Sequence, residues 1–206
     1  ARRAGHFVIV RCGKHGERIP LTIADSDIQR GTITLVVQAV GESTTKICAL
    51  NPGDYLTDVV GPLGQATKIE NYGTVVCCGG GVGVAPMLPI IRALKAAGNR
   101  VISILAARTK ELIILEKEVR ESSDEVIIMT DDGSYGEKGL VTQGVEKVIL
   151  REHVDRVETI GPAIMMKFVA LLTKKYDIPT ECSLNAVMVD GTGMCGACRV
   201  SVGGKT

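Results

Sequence analysis

The chain has 206 residues, of which 45% are hydrophobic and 23% charged, and its formal net charge is +1. This is the composition of a folded globular protein and argues against a disordered chain or a large nucleic-acid-binding surface. The seven cysteines are an odd number with no secretory hydrophobic segment before them, which disfavours a disulfide framework and favours metal or redox chemistry in the cytoplasm.

The first third of the chain predicts a small all-β domain. Short β-branched runs at 7–10, 33–37 and 46–50 lie between turn-forming Gly, Pro, Asn and Asp residues and are predicted to be strands. Several short strands of this kind indicate an antiparallel barrel or sandwich. We place this domain at residues 1–68 and leave open that a further strand precedes it, because the chain starts without Met and resembles a fragment.

The stretch from Asn71 to Ile91 has no charged residue and is long enough to span a bilayer. It is rich in glycine and proline, however, and a helix interrupted in this way leaves backbone groups unpaired in lipid. We therefore predict no membrane span here. The stretch indicates a buried strand at 75–78, a glycine-rich turn, and a helix at 87–97 that Gly98 ends.

The rest of the chain alternates strands with helices, which predicts a parallel sheet covered by helices on both faces. We assign this α/β domain to residues 69–179, and the Gly- and Cys-rich residues 180–206 to a short C-terminal lobe. The predicted strands are 101–105, 126–129 and 157–160, and the predicted helices are 111–121, 144–150 and 163–176.

Two loops at the expected carboxyl edge of this sheet suit a nucleotide. Residues 78–86 read Cys-Gly-Gly-Gly-Val-Gly-Val-Ala-Pro, and glycines at the start of a helix let a pyrophosphate approach free N–H groups. Gly161-Pro162 opens a second loop at the same edge. The alternative is a tight strand–helix turn that binds no ligand.

Two motifs in the β domain are weaker alone. Arg18-Ile19-Pro20-Leu21-Thr22 offers a guanidinium for phosphate and a hydroxyl for the edge of a heterocycle. The turn Gly61-Pro62-Leu63-Gly64 brings N–H groups towards the same phosphates. An exposed arginine before a strand and an ordinary connecting turn are the alternatives.

In combination, these motifs resemble those of the ferredoxin–NADP reductase superfamily, in which a flavin-binding barrel precedes an NAD(P)-binding domain. The run 130–136 (Thr-Asp-Asp-Gly-Ser-Tyr-Gly) and the C-terminal cysteine segment are similar to one branch, the small subunits of NADH-dependent ferredoxin:NADP oxidoreductase and sulfide dehydrogenase. The electron-transfer subunit of dihydroorotate dehydrogenase is a close relative of that branch. The resemblance covers nearly the whole chain.

The resemblance implies sites for FAD and for a nicotinamide nucleotide. Arg108 would lie near the adenosine ribose, and since a basic residue there suits a 2′-phosphate while Thr109 also suits a helix cap, NAD and NADP both stay open. The implied FAD ligands are Arg18, Pro20, Leu21, Thr22, Gly61, Pro62, Leu63 and Gly64, with a weaker match at Thr44, and the implied NAD(P)H ligands are Gly80, Gly81, Gly83, Ala85, Arg108, Gly161 and Pro162.

Asp190, Cys195 and Cys198 have the spacing of the first three ligands in a plant-type [2Fe-2S] site, with Asp in the first position. The resembled branch uses one Asp and three Cys, which implies that Asp190 is an iron ligand and that a third thiol lies beyond Thr206. A dithiol or half of a zinc site is the alternative, although no second pair of ligands follows.

These expectations describe an electron-transfer flavoprotein subunit that passes electrons between NAD(P)H, FAD and a [2Fe-2S] cluster to or from a larger oxidoreductase subunit, and to ferredoxin. Hydride transfer needs no acid–base group, so we assign no catalytic residue to the three histidines. An electron-transfer subunit for dihydroorotate dehydrogenase is one alternative. A nucleotide-sensing module with a metal or dithiol tail is another.

Overall fold

The computed structural model describes residues 2–206, and the chain divides into two compact units. One unit comprises Ala1–Thr67 and Asn185–Thr206, and the other comprises Lys68–Leu184. The expected lobe at 180–206 therefore starts five residues inside the second unit, because a short strand at Thr180–Cys182 pairs with the parallel sheet.

The first unit is built on a four-stranded antiparallel sheet in the order β3-β2-β1-β4. Its hydrophobic cluster is centred on Val8, Val10 and Ile23, and the small antiparallel architecture expected for this part is confirmed. The strands are β1 (Phe7–Arg11), β2 (Arg18–Asp27), β3 (Thr32–Leu35) and β4 (Asp58–Leu63).

The strand predicted at 46–50 is wrong, because this segment lies in and after helix α1 (Glu42–Cys48). The Thr44 hydroxyl accepts the backbone N–H groups of Val40 and Gly41 at 3.0 Å, which caps the helix start. One turn later, Lys46 Nζ forms an ion pair with Glu42 at 2.5 Å. The residues that cap the helix lie outside the apolar run 46–50, so the strand-like composition of that run does not decide its structure.

The second unit contains a six-stranded sheet in the order β10-β9-β5-β6-β7-β8. All of its neighbouring strands pair in parallel, which confirms the predicted α/β class. Its strands are β5 (Thr74–Gly80), β6 (Arg100–Ala107), β7 (Glu125–Thr130), β8 (Glu137–Lys138), β9 (Arg156–Ile160) and β10 (Thr180–Cys182).

Four helices accompany this sheet, and one differs from its prediction. The segment predicted as helix 111–121 starts with a short 3₁₀ turn at Lys110–Leu112 and becomes helical again only at Glu116. Leu115 interrupts it with a left-handed φ of 55°, a conformation that no α-helix contains. The helices are α2 (Val84–Ala96), α3 (Glu116–Ser122), α4 (Val141–Arg151) and α5 (Ala163–Lys174).

The uncharged stretch 71–91 forms the strand, turn and helix start expected of it. Across residues 2–206, no helix has both the length and the hydropathy needed to cross a membrane. All seven cysteines are free thiols, and Cys77 and Cys78 are buried in the middle of β5.

Candidate functional site

The carboxyl ends of β5 and β9 bring two predicted nucleotide loops together. These strands are parallel neighbours, with Cys78 opposite Thr159 and Gly79 opposite Ile160. The chain leaves β5 through the 3₁₀ turn Gly81–Gly83 into α2, and it leaves β9 through Gly161-Pro162 into α5. Neighbouring parallel strands thus place both glycine loops at one edge of the sheet.

The glycines hold these loops closer together than side chains would allow. A Cβ on Gly80 would lie 2.4 Å from Met165 Sδ and 3.1 Å from Pro162 Cδ, and a Cβ on Gly83 would lie 2.5 Å from the carbonyl oxygen of Ile160. A Cβ on Gly161 would lie 3.1 Å from the Gly80 Cα. Gly80, Gly83 and Gly161 therefore serve packing between the loops.

Gly81 is different, because it has space around it. Its φ is +55°, and a Cβ there would meet no atom within 4 Å. It starts the turn that leads to Ala85 in the first turn of α2, where no side chain caps the helix. The first N–H groups of a helix carry partial positive charge, and an open glycine before them suits the approach of a phosphate.

The loops after β6 and β7 are tied to each other. The Lys110 N–H donates to Ser134 Oγ at 2.9 Å, and Ser134 Oγ donates to Asp132 Oδ1 at 2.7 Å. Two hydrogen bonds from Ser134 lower the pKa of Asp132, and the Lys110 ammonium lies 5.3 Å from the centre of the Tyr135 ring. Arg108 is exposed beside these groups. An anionic carboxylate and two cations thus share this edge.

In the first unit, β2 divides its predicted site residues between two faces. Thr22 lies opposite Phe7, and Pro20 lies opposite Ile9, whereas Leu21 packs with the hydrophobic cluster on the other face. Because side chains alternate along a strand, Arg18, Pro20 and Thr22 share one face. Leu21 can reach a ligand on that face only through its backbone.

The polar side-chain groups of Arg18 and Thr22 are free to bind a ligand. Within residues 2–206, the Arg18 guanidinium forms no ion pair or hydrogen bond, and the Thr22 hydroxyl has no hydrogen-bond partner. Most other arginines of the chain are paired with carboxylates. The free guanidinium is what binding of a pyrophosphate requires.

The predicted turn Gly61-Pro62-Leu63-Gly64 is the end of strand β4. Leu63 pairs with Phe7 and Val60 with Ile9, so the residues between them form a β-bulge. A Cβ on Gly61 would lie 2.6 Å from Val8 Cγ1, and one on Gly64 would lie 2.6 Å from the Phe7 ring. Both glycines are needed for packing against β1, whether or not a ligand is bound.

Thr44, the weaker match, uses its hydroxyl to start α1. The hydroxyl accepts two backbone N–H groups and donates to the carbonyl of Gly41 at 3.0 Å. This side chain is therefore occupied locally, and its assignment to FAD stays a prediction.

The C-terminal cysteine segment forms a loop around the Asp190 carboxylate. Asp190 accepts the backbone N–H groups of Thr192 at 2.7 Å, Cys195 at 2.9 Å and Gly193 at 3.3 Å. These bonds, that from Thr192 foremost, lower the pKa of Asp190. The turn relies on left-handed glycines, with φ of 71° at Gly191 and 89° at Gly193.

Gly191 anchors this loop to the antiparallel sheet. A Cβ added there would lie 2.6 Å from Ile9 Cδ1, 3.2 Å from Leu63 Cδ1 and 3.3 Å from Phe7 Cε2. Phe7 and Ile9 are on the same face as Thr22 and Pro20, because directly paired residues share a face. The loop that carries Asp190 thus packs on the sheet face that presents the predicted FAD ligands.

The donor set fits an iron–sulfur cluster in its chemistry. It combines an anionic carboxylate with two exposed thiols, Cys195 and Cys198, and backbone N–H groups for the sulfurs, since the Ala197 N–H points at Cys195 Sγ at 3.5 Å. In the described chain, however, no three His, Cys, Asp or Glu side chains lie close enough to hold a metal ion. The assignment of Asp190, Cys195 and Cys198 as ligands stays a prediction.

One polar cluster gave no signal in the sequence. Glu158 is buried on β9 and accepts a hydrogen bond from Arg156 Nε at 2.5 Å. Arg156 also pairs with Glu181 on β10 and stacks on the Tyr72 ring at 4.6 Å. Burial outweighs the arginine and raises the pKa of Glu158 to about 7. A single acid in an apolar strand does not reveal such a network.

The antiparallel sheet followed by a parallel α/β sheet is the fold of the ferredoxin reductases. The cytochrome b5 reductase domain of Ulva prolifera nitrate reductase has this fold, with a TM-score of 0.64 and 18% identity over 86% of this chain and 83% of that one. No family model matches the chain.

Comparison with curated proteins gives the family. The chain is 49% identical over 203 residues to the dihydroorotate dehydrogenase B (NAD(+)) electron transfer subunit homolog of Thermotoga maritima, covering 98% of this chain and 72% of that protein. It is 33% identical to the electron transfer subunit of Desulforamulus reducens, covering 96% and 77%. The chain belongs to the family of dihydroorotate dehydrogenase B electron transfer subunits.

A solved structure of high similarity comes from a study of flavin-based electron bifurcation in an NADH-dependent reduced ferredoxin-NADP oxidoreductase. Its TM-score to this chain is 0.93 at 46% identity, covering 99% of this chain and 74% of that one. The sequence resemblance to this superfamily and to this branch is therefore confirmed.

Proposed function

We propose that the chain is the electron-transfer flavoprotein subunit of a larger oxidoreductase, in which it passes electrons between NAD(P)H, FAD and a [2Fe-2S] cluster. Family membership supports this activity. The observation that carries it is the packing of Gly191 against Phe7 and Ile9, because it brings the predicted iron ligand Asp190 to the sheet face of the predicted FAD ligands.

FAD would be held in the first unit by Arg18, Pro20, Leu21 and Thr22, together with residues 61–64. The unpaired Arg18 guanidinium would bind the pyrophosphate, and the Thr22 hydroxyl would bond to a polar edge of the ligand. Bound flavin accepts a hydride and releases electrons singly, which is the chemistry that the protein itself lacks. The chain contributes position and electrostatics.

The nicotinamide nucleotide would be held in the second unit. Gly81 leaves room for the diphosphate at the start of α2, while Gly80, Gly83, Gly161 and Pro162 fix the loop shape, and Ala85 keeps the first helical turn small. Arg108 lies at the edge that suits the adenosine ribose. Because two cations share this edge with the anionic Asp132, the local charges do not select between NADH and NADPH. The relatives carry NAD(+) in their names, and we therefore propose NADH as the preferred donor.

The cluster would be held by Asp190, Cys195 and Cys198. Asp190 is ionised over the physiological range, since its pKa is lowered, and the backbone N–H of Ala197 points at the Cys195 sulfur. We place the assembly in the cytoplasm, where seven free thiols stay reduced.

The larger partner subunit distinguishes two versions of this function. An Asp in the first cluster position favours the ferredoxin:NADP or sulfide-dehydrogenase branch, with ferredoxin as a further partner. The names of the curated relatives favour a dihydroorotate-oxidising partner. Mixing the chain with each type of larger subunit, and measuring NADH-linked turnover of dihydroorotate or of ferredoxin, separates the two.

The test of the common function is a visible spectrum of the purified chain with flavin and iron analysis. We expect a yellow protein whose flavin absorbance bleaches when NADH is added without oxygen. Arg18→Ala should lower the flavin content, whereas Arg30→Ala should not, because Arg30 lies in the next turn paired with Asp27. A colourless protein that contains zinc would contradict the proposal.

A further inference from the structure

Helix α5 presents an apolar stripe to the outside of the second unit. Ile164, Phe168 and Leu171 are 59%, 53% and 48% exposed, and their spacing of four and three residues places them on one side of the helix. The opposite side faces the core through Met166, Val169 and other buried residues. α5 is therefore apolar on both sides, and only one side is covered.

Three lysines border this stripe. Lys167 and Lys174 lie along one flank of the stripe, and Lys175 follows the stripe at the C-terminal end of the helix. α5 itself contains no acidic residue. Five of the nine other lysines form ion pairs, as Lys95 does with Asp124 and Lys147 does with Glu137. Within residues 2–206, no carboxylate forms an ion pair with any of the three lysines along the stripe.

We propose that this α5 face, formed by Ile164, Phe168, Leu171, Lys167, Lys174 and Lys175, is the docking surface for the larger oxidoreductase subunit. The inference rests on the proposed function only for the existence of that subunit. Charge complementarity defines the occupant as a protein surface that has an apolar centre with carboxylates along one flank and at one end. An exposed aromatic residue in the middle of an apolar stripe is typical of such an interface.

Two other occupants fit less well. A second copy of the chain would bring together two patches that carry only positive charges, since a two-fold interface pairs each patch with itself. A lipid surface suits the lysines, but one side of α5 is buried in the core, so only three short apolar side chains would reach the acyl region. An acidic protein surface satisfies both the stripe and its charges.

The inference can be tested by measuring the affinity of the purified chain for the larger subunit that co-purifies with it from the native source. Phe168→Asp should weaken binding at least tenfold, because it puts a charge into the apolar centre. The triple variant K167E/K174E/K175E should weaken binding at least tenfold at low salt and reduce its salt dependence. Hydrogen exchange of residues 163–175 should slow in the complex.

Matched controls separate docking from folding. Leu150→Asp alters a residue on α4 that is 72% exposed, and Lys117→Glu alters one on α3 that is 83% exposed; neither should change the affinity. All variants should keep their circular dichroism and flavin content. A chain that lacks flavin but still binds the larger subunit through α5 would contradict the proposed function and leave the docking surface intact.

Three results would overturn the docking surface. The first is an unchanged affinity of both α5 variants, or the absence of any co-purifying larger subunit. The second is a concentration-dependent dimer of the chain that Phe168→Asp abolishes while affinity for the larger subunit is unchanged. The third is binding to phosphatidylserine vesicles that the lysine variant abolishes, again with unchanged affinity for the larger subunit.

Discussion

Replacing Gly83 by alanine tests whether the loops after β5 and β9 can approach each other closely only because residue 83 has no side chain. The new Cβ would lie 2.5 Å from the Ile160 carbonyl oxygen, which is 0.9 Å closer than the shortest ordinary contact of 3.4 Å. Another backbone atom, the Gly161 Cα, would lie 2.9 Å away. No side-chain rotation relieves either contact, so one loop must move by close to an ångström.

The expected cost follows from two opposing effects. Gly83 has a helical φ of −61°, so alanine should gain about 0.4–1 kcal/mol by restricting the unfolded chain. Overpacking a well-packed site costs about 1–3 kcal/mol. We therefore expect a net loss of about 1–2 kcal/mol in the free energy of unfolding, measured in urea, and a Kd for NADH raised at least tenfold.

Gly98→Ala is the control, because it lies at the other end of α2. Its φ of +88° makes alanine strained there, and the new Cβ would meet only Asn71 Nδ2 at 3.3 Å. We expect a similar loss of about 1–2 kcal/mol with unchanged nucleotide binding. If Gly83→Ala is as stable as the wild type and binds NADH equally well, the loops are not locked by Gly83.

Three further predictions concern single polar groups. The pKa of Glu158 is raised from an ordinary 4.5 to about 7, so the unfolded chain loses this proton first as pH rises. The free energy of unfolding should therefore fall between about pH 4.5 and 7 by at most ~3 kcal/mol. Glu158→Gln should reduce this pH dependence in urea unfolding at pH 5 and 7.5, and an unchanged pH dependence would assign it to other groups. Asp190→Asn keeps an acceptor for the Thr192 N–H but removes the carboxylate ligand, so iron analysis should show a lower iron content with unchanged flavin; full iron occupancy would exclude Asp190 as a ligand. Thr44→Val should destabilise the chain by about 1 kcal/mol through loss of the α1 cap. Unchanged flavin affinity in this variant would contradict the predicted FAD contact of Thr44, and a drop would support it.

The fold class was predictable because the apolar pattern changes along the chain. Short runs separated by turns gave the antiparallel sheet, and alternating strands and helices gave the parallel sheet. The two errors in predicted secondary structure, the strand at 46–50 and the single helix at 111–121, arise where one residue decides the local structure. Thr44 caps α1 from outside the apolar run that resembles a strand, and the left-handed Leu115 divides what reads as one helix.

For the candidate site, the sequence could predict which loops carry it but not the contacts that those loops make. The sequence placed glycines after two strands, but their contacts depend on β9 lying next to β5, which pairs segments far apart in the chain. The face on which Leu21 lies required the register of β2 with β1. The network of Arg156, Glu158 and Glu181 depends on the pairing of β9 with β10, which no local sequence pattern indicates.

Gly191 shows why the loop of Asp190 has a fixed position on the sheet. Its left-handed φ of 71° disfavours a side chain, and an added Cβ would lie 2.6 Å from Ile9 Cδ1, so the backbone next to Asp190 lies directly on the β1 side chains. The three N–H groups that Asp190 accepts hold the rest of the turn. An electron-transfer site needs a set distance between its two redox groups more than it needs reactive side chains. Under the proposed function, a loop fixed by close backbone packing would hold the predicted ligand Asp190 at a set distance from the predicted FAD ligands.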